Sequence, residues 1–175
     1  DLEAEGCYKE PAVRQDDEML IRNCEQINKL TDVVITYDFD DRTETVDRET
    51  IKNWLKKDKK GNYTLDKKQV TAYVKGLSEK YDTVGNSRTF HTYDGQEITV
   101  EGGNYGWQID QASEVAQLTQ EIRSGTQTTR EPVYSMTANA HGYNDIGDTY
   151  IEVDLSEQHM YYYQNGADIF ESDIV

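Results

Sequence analysis

Proline is almost missing from this 175-residue chain, which has 2. A polyproline stalk or linker needs the residue repeatedly, so none is encoded. Cysteine is as scarce, with Cys7 and Cys24 alone. Their separation fits neither a redox pair nor a zinc knuckle, and it excludes a disulfide-dense scaffold. A bridge between the two stays open, since it would tie down an N-terminal arm. Positive charge is also short: 18 lysines and arginines face 34 acidic residues, a formal net charge of −16. Phosphate binding needs a basic footprint, so nucleic acid is excluded as a partner and anionic lipid is disfavoured. No apolar run is long enough to cross a bilayer. No signal peptide follows Asp1. The opening "DLEAEGCYKEP" reads as the edge of a longer chain, with any export signal or anchor expected upstream.

What is abundant is acid and tyrosine. The acidic excess keeps the chain soluble by self-repulsion. A sharper alternative is an acidic groove for an amine-bearing ligand. There are 13 Tyr against 3 Phe and 2 Trp. Tyrosine suits half-buried sheet faces, with an apolar ring and a hydrogen-bonding tip.

Periodicity predicts a first helix from about Asp16 to Leu30, with Leu20, Cys24, Ile27 and Leu30 on its apolar face. Cys24 is expected as a buried thiol there. "DVVITYDF" and "TETV" read as a hairpin. Asp47 caps a short helix, and Asp66 caps a longer one with Val70, Tyr73, Val74, Leu77 and Tyr81 as its stripe. "RTFHTY" and "QEITV" form a hairpin around Asp94-Gly95, whose two central residues are expected at positive φ. Asp110 caps a further helix that Gly125 ends. The strands come as antiparallel pairs, not βαβ units. The fold class is therefore α+β: helices packed on antiparallel hairpins, followed by a short all-β C-terminal fragment. The boundary falls in the loop between Ala138 and Gly147. The expected divisions are an arm over residues 1–15, an α+β unit over 16–140 and a strand-only segment over 148–175.

Two segments of the sequence carry a resemblance. "TVEGGNYGWQIDQASEVAQL", followed by a "REPVY" strand, resembles the N-terminal domain of Gram-positive L,D-transpeptidases. "DTYIEVDLSEQHMYYYQNGADIFESDIV" is similar to the first strands of their catalytic domain. The order and junction agree over roughly residues 30 to 175. The resemblance implies a peptidoglycan-binding domain, an exported parent enzyme that crosslinks stem peptides, and a location at the cell wall or the outer face of the membrane. The family's catalytic Ser-His-Gly-Cys stretch is absent from this sequence. Expected, then, is a transpeptidase cut inside its catalytic domain, with no catalytic residue in this chain.

The residues themselves agree with that expectation. Cys7 lies among carboxylates, which disfavour a thiolate. His91, His141 and His159 have no metal-ligand spacing. Asp38, Asp40, Asp41, Glu44 and Asp47 invite a calcium reading, but the EF-hand glycine and distal Glu are missing. Neither a metal nor a cofactor is implied. Paired carboxylates of a glycosidase would arise by chance in so acidic a chain. "GGNYGW" is the best binding stretch: Gly102, Gly103 and Gly106 let backbones approach, and Asn104, Tyr105 and Trp107 could meet a sugar or stem peptide. Against this, Trp107 could simply plug the core. The expected function is a non-catalytic peptidoglycan-binding or positioning module, with a structural spacer as the alternative. The C-terminal strands are expected to pack on the rest of the chain or to pair with another copy, because a lone hairpin is marginal in water.

Overall fold

The computed structural model describes residues 14, 17–142 and 144–175. Cys7, its bridge to Cys24 and nearly all of the arm expected over residues 1–15 lie outside the described residues.

Among the described residues, aspartates start all the helices. Asp17 accepts hydrogen bonds from the N–H groups of Met19 and Leu20 and opens α1 (Glu18–Thr31). The strands β1 (Ile35–Asp38) and β2 (Thr43–Val46) follow as an antiparallel hairpin. Asp47 accepts from Thr50 N–H at the start of α2 (Arg48–Asn53). Next comes β3 (Leu55–Lys57) paired with β4 (Tyr63–Leu65). Asp66 caps α3 (Lys67–Tyr81), and the hairpin of β5 (Arg88–His91) and β6 (Glu97–Val100) follows. After β7 (Gln108–Ile109), Asp110 caps α4 (Gln111–Ser124). An acidic cap satisfies orphan N–H groups and opposes the helix dipole, contributing about 1 kcal/mol each. Part of the acidic excess is thus spent on starting helices.

Gly125 ends α4 in the left-handed region, at φ 75°. The chain then runs into β8 (Thr128–Arg130) and β9 (Tyr134–Met136). β8 pairs with β1 in parallel, which corrects the expectation of antiparallel pairs alone. The physical reason is the crossover through α4, which returns the chain beside β1 in the same direction. The β3–β4 hairpin is a second difference: "NYTLD" reads as a short extended bridge, but the charged "KKDKKGN" before it hides the strand it pairs with.

The core lies between the β2-β1-β8 sheet and the helices. Val33, Ile35, Tyr37 and Phe39 are at most 2% exposed. They meet Val70, Val74 and Leu77 of α3 and Val115, Leu118 and Ile122 of α4. Each such buried side chain contributes roughly 1.5–3 kcal/mol. Within this core Glu114 is 0% exposed. It is tolerated because its carboxylate accepts from Tyr37 Oη (2.5 Å), Val133 N–H (2.7 Å) and both Arg130 Nη atoms (2.7 and 2.9 Å). Arg130 also reaches Glu121. A buried charge with every lone pair occupied is the arrangement that makes its desolvation bearable.

Cys24 is exposed, contrary to the expected buried thiol. Only the C-terminal half of the α1 stripe sinks into the protein: Ile27 and Leu30 are half-buried, while Leu20 is 42% exposed.

The last strands, β10 (Tyr150–Asp154), β11 (His159–Gln164) and β12 (Ala167–Asp173), form a separate antiparallel sheet. Asn165 and Gly166 both take positive φ, the backbone of a type I′ turn. At Asp94-Gly95 only Gly95 does (φ 80°), so that turn is not the expected one. Gly95 N–H donates to Thr92 O and Thr92 N–H to Gln96 O. One left-handed glycine after an ordinary turn closes a slightly longer loop. The sheet packs its tyrosine face on this hairpin: Tyr93 stacks on Tyr161 at 4.3 Å, and Phe90 meets Tyr150 edge-on at 5.2 Å.

Candidate functional site

The glycine-rich stretch lies directly on the loop after α3. A Cβ on Gly102 would sit 1.9 Å from Gly85 O, and one on Gly106 2.6 Å from Val84 N. Only glycine permits that approach. Trp107 O accepts from Thr83 N–H (2.9 Å), and Trp107 N–H donates to Thr83 Oγ1 (2.8 Å).

A buried ion pair fastens a third segment onto these two. Arg88, the first residue of β5, grips both carboxylate oxygens of Asp145. Their side chains are 8% and 2% exposed. Arg88 Nη1 donates to Asn86 O (2.8 Å), and Nη2 also contacts Thr83 O (3.2 Å) and Tyr105 O (3.1 Å). Thr83 Oγ1 also donates to Asp145. Burial raises the Asp145 carboxyl, but Arg88 and Thr83 outweigh it and hold it below the ordinary carboxylate value. The pair therefore stays ionised, and the loop between β9 and β10 is pinned down.

Tyr105 and Trp107 share in that fastening. Tyr105 Oη donates to Asp145 O (2.9 Å) and accepts from Asn139 N–H (2.9 Å). Its ring stays 41% exposed, with the Arg88 guanidinium 5.4 Å from its centre. Trp107 is 9% exposed. Its indole N–H donates to Ala140 O (2.7 Å), and its face stacks on His141 at 3.8 Å.

The structure divides the predicted trio. Asn104 and Tyr105 line an open cavity of about 520 Å³ between the glycine loop, β6 and the start of β10. Val100, Ile146 and Tyr150 supply its apolar walls, and Glu101, Asn139 and Thr149 its polar ones. Trp107 faces away, into a smaller groove of about 250 Å³ beside Tyr81 and His141. A second groove of about 480 Å³ continues the first along β10, sharing Val100, Ile146 and Tyr150. Together they form a trough with aromatic and aliphatic walls and a few aimed polar groups, the usual make-up of a ligand site.

Sequence reasoning missed Arg88, Asp145 and Thr83. Asp145 lies in "YNDIGD", which reads as a turn or weak cation loop, and nothing local to it announces a partner 57 residues away. The acidic cluster near β1 is otherwise employed: Asp38 caps Asp40 N–H, Asp41 pairs with Arg42, Glu44 with Lys80 and Tyr81. Among the described residues no group of His, Cys, Asp or Glu could hold a metal ion.

Comparisons with known proteins point one way. Residues 17–130 match the family described as "Putative peptidoglycan binding domain". A crystal structure of a cysteine-to-serine mutant of the Enterococcus faecium L,D-transpeptidase is 35% identical, with a TM-score of 0.64, covering 87% of this chain. The carbamoyl enzyme of Ldtfm with avibactam is also 35% identical, with a TM-score of 0.65, covering 88%. This chain spans 60% of the length of each of those solved chains. No curated protein matches it.

Proposed function

This chain belongs to the peptidoglycan-binding domain family that its residues 17–130 match, and on that premise we propose that it is a non-catalytic cell-wall module of an L,D-transpeptidase. Residues 16–140 would engage peptidoglycan, and residues 148–175 would begin the catalytic domain. The observation that carries the reading is the trough at their junction, where Tyr105 offers a ring face and Asn104 an amide, while Asn139 keeps only its amide oxygen, its nitrogen donating to Ile146 O and Thr149 O. Flat rings beside amide side chains suit both sugars and peptide stems.

The absence of a role in catalysis is supported by the sequence and by Cys24. No Ser-His-Gly-Cys stretch occurs. Cys24 is exposed on α1, which packs chiefly on α2, α4 and β4, and none of these carries a histidine to act as its base. At the membrane level, no described helix is long and apolar enough to cross a bilayer. The outer face of the cell follows from peptidoglycan as the partner.

The test is co-sedimentation with purified sacculi. The chain should pellet, and Asn104→Ala should weaken this several-fold. Tyr105→Phe, which keeps the ring but gives up the hydroxyl's bonds to Asp145 O and Asn139 N–H, should weaken it less than Tyr105→Ala. One observation favours the spacer reading instead: the Tyr105 hydroxyl and the Trp107 indole are already consumed in fastening the junction. A spacer would stay in the supernatant. Turnover of a stem tetrapeptide by the purified chain would overturn the non-catalytic assignment.

A further inference from the structure

Charge within the trough is lopsided. Its charged lining residues are Arg88, Glu101, Glu152 and Asp154. Arg88 is neutralised by Asp145 and its side chain is 8% exposed, so its charge is already paired and largely withdrawn from a ligand. Two of the carboxylates are also engaged. Glu152 accepts from Tyr93 N–H through both oxygens, at 3.1 Å each. Asp154 accepts from Ser156 N–H and Glu157 N–H at 2.7 and 3.0 Å.

Glu101 differs. Its one hydrogen bond is a long contact of 3.4 Å from Ser87 Oγ. Among the described residues it forms no ion pair, and it is exposed at the mouth of the cavity. Beside it, Val100, Tyr105, Ile146 and Tyr150 form an apolar channel. An aliphatic stem against those walls, ending in an ammonium at Glu101, would satisfy both surfaces. A carboxylate or phosphate would meet only like charge.

We propose that this trough recognises a primary amine carried on an aliphatic chain, the side chain of a diamino residue in the peptide stem, with Glu101 as its counter-ion. The proposal rests on the peptidoglycan-binding reading and narrows it from the polymer to one chemical group.

Calorimetric titration of the whole chain separates the two. The probes are a synthetic stem tetrapeptide containing lysine, its Nε-acetyl form and a glucosamine tetramer. The unmodified peptide should bind about fivefold more tightly than the acetylated one, the size of one partly solvated ion pair. E101Q, an exposed change that leaves the fold intact, should bind both peptides alike. Equal binding of the two peptides by the unaltered chain would overturn the amine assignment while leaving the peptidoglycan reading standing. Binding of the glucosamine tetramer in place of the peptide would place the amine on the glycan and overturn the peptide assignment. If neither the probes nor sacculi bind, both readings fall together.

Discussion

The β2-β1-β8 sheet and the β10–β12 sheet share one alternating pattern and reach opposite outcomes. In the first, Val33, Ile35, Tyr37 and Phe39 are at most 2% exposed. In the second, Ile151 is 59% and Phe170 53% exposed. The difference lies in what covers each face. Helices α3 and α4 lie over the first sheet. Among the described residues, the second sheet meets the β5–β6 hairpin on its tyrosine face, and Ile151 and Phe170 on the opposite face stay exposed. Period-two alternation defines two faces, but burial requires a layer to put against one of them. Buried charge follows the same division: the helical unit holds the Glu114–Arg130 pair, the junction holds Arg88–Asp145, and the C-terminal sheet has its histidine–carboxylate contacts at the surface.

The comparison breaks most readily in the helical unit. Glu114→Ala would leave Arg130 with Glu121 as its one carboxylate partner and the Tyr37 hydroxyl and Val133 N–H without their acceptor. A loss of about 3–5 kcal/mol is expected, read as a lower urea midpoint by circular dichroism. A change under about 1 kcal/mol would show that the pair is not the keystone of that core.

At the junction, Asp145→Ala should act locally. Amide exchange over residues 139–150 should quicken by roughly two orders of magnitude, while α3 and α4 keep their protection. Equal loosening of the helices would mean that the two regions are one cooperative unit. The same contact sets a pH response. Because the folded-state Asp145 value is depressed, its stabilisation is whole above the ordinary 3.8 and is lost as pH falls through the lower folded value. Protection in this loop, taken relative to the intrinsic exchange rate at each pH, should therefore be unchanged from neutral pH to about 5 and fall only in stronger acid. His159 has the opposite sign: its hydrogen bond to Asp173 raises it above 6.5, so its contribution holds below that value and fades as pH rises.

Smaller effects sharpen the contrast. Tyr93→Ala removes the stack on Tyr161 and should cost about 1 kcal/mol, detected as greater thermal lability of the tyrosine near-ultraviolet signal. Least of all, Ile151→Lys should change stability by under about 0.5 kcal/mol, since the side chain is already in water. If sedimentation shows that this change splits a dimer, the aliphatic face is covered by a second copy, and the contrast between the sheets is a property of the monomer alone.

Much of the helical unit was legible because its signals are local. Asp66 before Val70, Val74 and Leu77, or Asp110 before Val115 and Leu118, writes a cap and a stripe within one turn of each other. The parallel β1–β8 pair was not legible, since it depends on where α4 returns the chain. Cys24 misled for a related reason: helical spacing placed it on the apolar face, but only the far end of α1 reaches the core. In the candidate site, Asn104 and Tyr105 stood out through their glycine neighbours. Glu101 did not, because its distinction is the absence of a nearby donor.

The order of the helices, the acidic caps, the type I′ turn at Asn165-Gly166 and the missing Ser-His-Gly-Cys stretch were settled by the sequence alone, since each is a matter of neighbouring residues. The Arg88–Asp145 fastening, the parting of Tyr105 from Trp107 and the one underused carboxylate in the trough were decided by tertiary structure. Pairing across 57 residues is a question of which surfaces meet, and no local pattern encodes it.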